Sequence, residues 1–79
     1  MSASRPATVV DALGKPCPVP VIALAKAVEQ ARPGEEVVVL SDDAGAKVDI
    51  PVWCRMKGHE YLGQAEAGRG WSFRVRRSS

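Results

Sequence analysis

The sequence lacks a long hydrophobic segment and is poor in cysteine and histidine. Every uninterrupted apolar run, Val37–Leu40 among them, is far too short to span a membrane. Residues 1–6 lack the apolar core of a secretory signal. Two cysteines are too few to crosslink a secreted miniprotein. We therefore expect a cytoplasmic protein with no membrane association, in which both thiols are reduced.

Composition places the chain among ordinary globular domains. Of its 79 residues, 46% are apolar and 25% are charged, which is typical of one small domain. The formal net charge of +2 is too weak to indicate nucleic-acid binding. Direct binding of nucleic acid is therefore not expected.

Hydrophobic periodicity predicts six elements in the order β-α-β-α-β-β. The pattern predicts strands at residues 7–12, 36–40, 60–66 and 71–76 and a helix from Pro18 to about Arg32. It predicts a second helix from about Asp49, with Pro51 in its first turn, to a glycine cap at Gly58. Two right-handed crossovers would place both helices on one face of a mixed four-stranded sheet. The expected fold is α/β, an α+β two-layer sandwich, with a disordered tail at residues 1–6 and a single domain at residues 7–77.

The motif Cys17-Pro18-Val19-Pro20 lies where the first strand hands over to the first helix. A residue before proline avoids helical dihedrals, so Cys17 is predicted to be the N-cap and Pro18 the first helical residue. Pro20 would then be third and has no N–H, which leaves the N–H of Val19 for the sulfur. The positive end of the helix favours the thiolate, which is the reactive form of cysteine.

No general base is predicted beside this thiol. The single histidine, His59, is expected at the start of the third strand, beyond the second helix. A Cys–His hydrolase needs the two side chains within hydrogen-bond reach. The pattern therefore favours a carrier over a self-sufficient enzyme, while a turn cysteine without a role explains Cys17 as well.

The remaining candidates have structural interpretations. Cys54 shares the apolar face of the second helix, which favours a buried cysteine over a resolving thiol or metal ligand. Cysteine and histidine spacing does not support a zinc site. We expect His59 to fix the helix-to-strand turn, and Asp42 and Asp43 to cap the second helix rather than act in chemistry.

The last predicted strand carries basic residues. Arg74 and Arg76 alternate with buried positions, which predicts a solvated strand face. A docking surface for an acidic protein or an RNA backbone is the alternative.

The chain resembles the TusA family, also called SirA-like, of small sulfur-carrier proteins. The matching segments are residues 11–14, 17–21, 33–35, 42–43, 49–54 and 58–60. The resemblance implies the β-α-β-α-β-β fold and a persulfide on Cys17, with no other cofactor. It also implies a sulfur donor (a cysteine desulfurase or a rhodanese-like protein) and an acceptor protein in tRNA thiolation, molybdenum-cofactor assembly or sulfur oxidation.

The chain departs from the family pattern at several positions that bear on partners. Lys15 stands where leucine is frequent, Lys26 is the single basic residue of its pair, and Ala44 replaces proline. Lys15, Lys26, Asp43 and Arg55 are the candidate docking residues, and Lys15 is expected to favour the thiolate. The alternative function is a non-catalytic regulatory or protein-interaction module of the same fold.

Overall fold

The structure, a computed structural model, describes residues 8–78. Its elements are β1 (Thr8–Asp11), α1 (Val19–Gln30), β2 (Glu36–Ser41), α2 (Ala46–Lys57), β3 (Glu60–Ala67) and β4 (Gly70–Arg76). The predicted order is confirmed. The tail predicted for residues 1–6 lies outside the described residues.

The strands form one mixed sheet in the order β1-β2-β4-β3. β1 and β2 are parallel, while β4 is antiparallel to both of its neighbours, β2 and β3. β2 is therefore internal, as its continuous apolar run predicts. Buried residues of α1 and α2 join a single core cluster with those of β2 and β4. The two-layer α/β arrangement with both helices on one face is confirmed.

The core lies between the sheet and the helices. Side chains alternate along each strand, so Val37 and Val39 of β2 and Phe73 and Val75 of β4 all point to the helical layer and are fully buried. Leu24 of α1 packs into the same cluster. Burying one such side chain contributes about 1.5–3 kcal/mol, so these positions supply much of the stability of a small domain.

The start of α1 differs from the prediction. Its N-cap is Pro18 rather than Cys17, and Pro20 is its second residue rather than its third. The N–H of Val19 donates to the carbonyl of Pro16 at 2.9 Å. A tight turn closed by this hydrogen bond therefore precedes the helix, and Cys17 lies within the turn.

α2 also begins earlier than predicted, at Ala46 rather than near Asp49. The N–H of Ala46 donates to the Asp43 carbonyl at 3.0 Å, and that of Asp49 donates to the Gly45 carbonyl at 2.9 Å. These bonds complete a helical turn before Pro51, which is accommodated inside the helix. Gly58 ends α2 with a φ of 79°, a left-handed conformation that confirms the predicted glycine cap.

None of the helices in residues 8–78 has the length and apolar character needed to cross a bilayer.

Candidate active site at Cys17

Two loops meet beside Cys17 because β1 and β2 are neighbouring parallel strands. Their carboxyl ends lie at the same edge of the sheet, so the loops that follow them are adjacent. The Asp42 side chain accepts a hydrogen bond from the N–H of Gly14 at 3.0 Å. The Asp43 Oδ2 atom accepts one from the N–H of Cys17 at 2.7 Å. The loop after β2 thus fixes the backbone of the loop that contains the thiol.

The predicted capping role of Asp42 and Asp43 holds only in part, because Asp43 binds the start of α2 without being its N-cap and Asp42 binds Gly14. The N-cap of α2 is Gly45, and no side chain caps this helix. The Oδ1 atom of Asp43 instead accepts the N–H of Gly45 at 3.1 Å, while its own N–H donates to the Oγ atom of buried Ser41 at 3.1 Å. Asp43 is therefore a link between the loop before α2 and the Cys17 backbone.

Gly70 allows the end of β2 to approach β4 closely. A Cβ atom at this position would overlap the carbonyl oxygen of Ser41 and lie 2.8 Å from the Cα atom of Asp42. Both contacts are with backbone, which cannot move aside as a flexible side chain can. The absence of a side chain at Gly70 therefore determines where the loop carrying Asp42 and Asp43 begins.

The Cys17 thiol is exposed and is hydrogen-bonded to a carboxylate from α2. Its Sγ–H donates to the Oδ2 atom of Asp49 at 2.7 Å, and the peptide bond from Cys17 to Pro18 is cis. The hydrogen bond to Asp49 raises the pKa of Cys17 above 9.0, and desolvation and the negative charges of Asp49 and Asp43 act in the same direction.

The prediction that the helix start favours the thiolate is therefore wrong. The N–H of Val19, which was expected to bind the sulfur, is bonded to Pro16. The two charged side chains that shift the pKa of Cys17 are both acidic, and Lys15 is not among the causes. Cys17 precedes the N-cap of α1 and has the carboxylates of Asp49 and Asp43 beside it, whereas the effect of a helix dipole is confined to the first turn and screened by salt.

Asp49 is the site residue that the sequence reasoning missed. It lies 32 positions from Cys17, and its place in the first turn of α2 is explained by the helix dipole alone. The available signal was topological. A helix that follows β2 must begin beside the loop that follows β1, which brings its first turn to the thiol.

Cys54 and His59 do not take part in this site. Cys54 is 1% exposed, and burial raises its pKa from 9.0 to about 11. The Nδ1 atom of His59 accepts the N–H of Ser78 at 3.2 Å, and its ring lies 5.5 Å from that of Trp53. Its imidazole thus binds the chain after β4 rather than the predicted helix-to-strand turn. His59 follows Gly58, and about 13 Å along the helix axis separate Gly58 from Asp49, which is the residue of α2 that binds the thiol.

Within residues 8–78, no group of three or more His, Cys, Asp or Glu side chains is arranged to hold a metal ion. Both cysteines are free thiols.

The predicted docking residues are spread over the surface rather than gathered in one place. Lys15 is exposed in the Cys17 loop, Lys26 is exposed on α1, and Arg55 is exposed in the last turn of α2. Lys26 lines a groove between the helices together with Trp53. Of the four candidates, Asp43 is the one that contacts Cys17.

The arginines of the last strand are engaged within the fold. Arg74 and Arg76 both pair with Glu36, at 2.7 and 3.4 Å, and Arg76 also pairs with Glu60 at 3.2 Å. Arg77 donates to the carbonyls at the end of α1. This arrangement fits the solvated strand face that the alternation predicts.

Comparison with known proteins places the chain in a family. The family model described as Sulfurtransferase TusA matches residues 8–77. The crystal structure of a SirA-like protein from Desulfitobacterium hafniense is similar, with a TM-score of 0.78 and 27% sequence identity. The similarity covers 91% of this chain and 99% of that one. The chain belongs to the TusA (SirA-like) family, whose members act in sulfur relay.

Proposed function

We propose that this protein is a cytoplasmic sulfur carrier that receives sulfur on Cys17 and passes it to an acceptor protein. The observation that carries the proposal is the exposed thiol at the edge where the loops after β1 and β2 meet. Membership of the TusA family supports it. The other cysteine, Cys54, is buried and lies on the helix that supplies Asp49.

The transfer is an exchange between thiol and persulfide and needs no external oxidant or reductant. The Cys17 thiol loses its proton to solvent, and the thiolate attacks the outer sulfur of a donor persulfide. A bond forms between Sγ and that sulfur as the donor S–S bond breaks, and the donor leaves as a thiolate. In delivery, a thiolate of the acceptor attacks the outer sulfur on Cys17, the S–S bond breaks, and Cys17 leaves as the thiolate.

The donor class we propose is a cysteine desulfurase or a rhodanese-like protein. The acceptor belongs to tRNA thiolation, molybdenum-cofactor assembly or sulfur oxidation. Lys15, Lys26 and Arg55 are exposed side chains suited to docking such partners, while Asp43 holds the Cys17 backbone. Exposed apolar side chains also follow one face of α2, where Val48, Val52 and Met56 recur at four-residue spacing. An exposed apolar face of this kind is typical of a surface that binds another protein, as a relay between proteins requires.

The test is the intact mass of the protein after incubation with a cysteine desulfurase and cysteine. We expect a gain of one sulfur atom that a reductant removes. Cys17→Ser should show no gain and remain folded, because Cys17 is exposed and contributes little packing. Cys54→Ala is the matched control and should still gain sulfur. No gain in the parent with a desulfurase or with other persulfide donors would favour the non-catalytic interaction module instead.

A further inference from the structure

The Asp49 carboxylate is devoted to the Cys17 thiol. It accepts the Sγ–H at 2.7 Å, and it has no other hydrogen-bond or ion-pair partner among residues 8–78. The Cys17 backbone is held separately, by the N–H···O bond of 2.7 Å to Asp43. Two carboxylates from two different segments therefore fix one residue, one at its backbone and the other at its reacting atom.

The charges around the thiol all favour its neutral form. Asp49 of α2 and Asp43 of the preceding loop are the charged groups that act on Cys17. Asp42, in the same loop, binds Gly14, and Lys15 is exposed and does not counter them. Because the thiolate is the nucleophile, this environment slows reaction of the free protein with any electrophile.

We propose that Asp49 is a positioning residue that holds Cys17 as a neutral, oriented thiol in the unloaded protein, and that this hydrogen bond is lost on loading. The second half rests on the proposed carrier function. In a persulfide the Sγ atom is bonded to Cβ and to the outer sulfur, so it carries no hydrogen to donate. The Asp49 carboxylate then faces an acceptor instead of a donor, and it repels any negative charge on the outer sulfur. Asp49 thus distinguishes the unloaded state from the loaded one.

The first arm of the test is the pH profile of Cys17 reaction with a small uncharged disulfide. Asp49→Asn keeps the size of the side chain, removes its charge and offers an N–H to the thiolate. Glu66→Gln, at an exposed position of β3, is the control for the change in net charge. We expect the midpoint of the profile to fall in Asp49→Asn and to stay unchanged in Glu66→Gln.

The size of the effect follows from two opposing factors. Each pH unit by which the midpoint falls gives about tenfold more thiolate at neutral pH. The less basic thiolate is also a weaker nucleophile, which reduces the gain to about three- to fourfold in rate per unit. Above both midpoints, the variant should react no faster than the parent.

Urea denaturation separates this role from a structural one. If Asp49 merely stabilises the first turn of α2, Asp49→Asn loses stability and its reaction midpoint matches that of the parent; this result overturns the proposal. A lowered midpoint with native-like unfolding supports it.

The second arm measures loading from a small persulfide donor at neutral pH. Faster loading of Asp49→Asn than of the parent supports the proposal. If the parent loads but the midpoint of the pH profile is the same in Asp49→Asn as in the parent, the proposal is overturned. A shifted midpoint in a protein that never loads supports the assignment of Asp49 to the thiol and refutes the carrier function, so the two failures are distinguishable.

Discussion

The buried thiol of Cys54 should make the protein less stable in alkaline solution. In the folded state burial raises the pKa of Cys54 from 9.0 to about 11, whereas the unfolded chain exposes this thiol to water. Between these two values the unfolded state loses a proton that the folded state keeps. The stabilisation is therefore complete below pH 9.0 and is lost as the pH rises toward 11.

The magnitude follows from the shift. Each unit of pKa difference corresponds to about 1.4 kcal/mol, so the free energy of unfolding should fall by about 3 kcal/mol across the interval. A domain of this size has a total stability of about 4–12 kcal/mol, which makes the loss easy to measure.

The assay is urea denaturation of the parent and of Cys54→Ala under a reductant, at several pH values from about 8 to about 10.5. At the lower end of this range the variant should be less stable than the parent because it lacks the packed sulfur, and this difference in stability should narrow as the pH rises. The same pair is compared again in a protein carrying Tyr61→Phe, because burial and the charge of Cys54 also raise the pKa of Tyr61. This comparison removes the titration of Tyr61 from the result. A gap that is the same at both ends of the pH range would refute the reasoning.

Two further predictions concern the sheet. Gly70→Ala should destabilise the protein by about 1–3 kcal/mol, since its Cβ would overlap the Ser41 carbonyl; unchanged urea unfolding would contradict this. The pKa of Glu36 is lowered by its hydrogen bond to Arg74 and also by Arg76, so its contribution is present above pH 4.5 and is lost as the pH falls through the lowered pKa. Glu36→Gln should therefore cost under about 1 kcal/mol at neutral pH, and its unfolding curve should be less sensitive to acid than that of the parent.

The sheet could be predicted from sequence because its residues alternate and its turns are marked. Trp71, Phe73 and Val75 alternate with polar residues, and the structure places Phe73 and Val75 in the core. Gly58 marks the end of α2 with the conformation that only glycine adopts readily. Both signals lie within a few neighbouring residues and can therefore be recognised in the sequence.

The helix starts and the thiol environment could not be predicted in the same way. Proline rules placed Pro51 in the first turn of its helix, yet hydrogen bonds from the turn at Gly45 begin α2 several residues earlier. The motif around Cys17 predicted an easily ionised thiol, but the decisive neighbour, Asp49, is distant in sequence. Contacts of this kind depend on the relative placement of two loops and a helix, which hydrophobic periodicity does not encode.

The division of the Cys17 site between two chain segments limits how far its chemistry can be transplanted. The hydrogen bonds to the Cys17 backbone and sulfur both come from residues that follow β2. A peptide or a foreign helix carrying the Cys17–Pro20 motif would keep the prolines and lose both carboxylates. Its thiol would behave as an ordinary surface cysteine, so the motif cannot carry this chemistry apart from the fold that brings the two segments together.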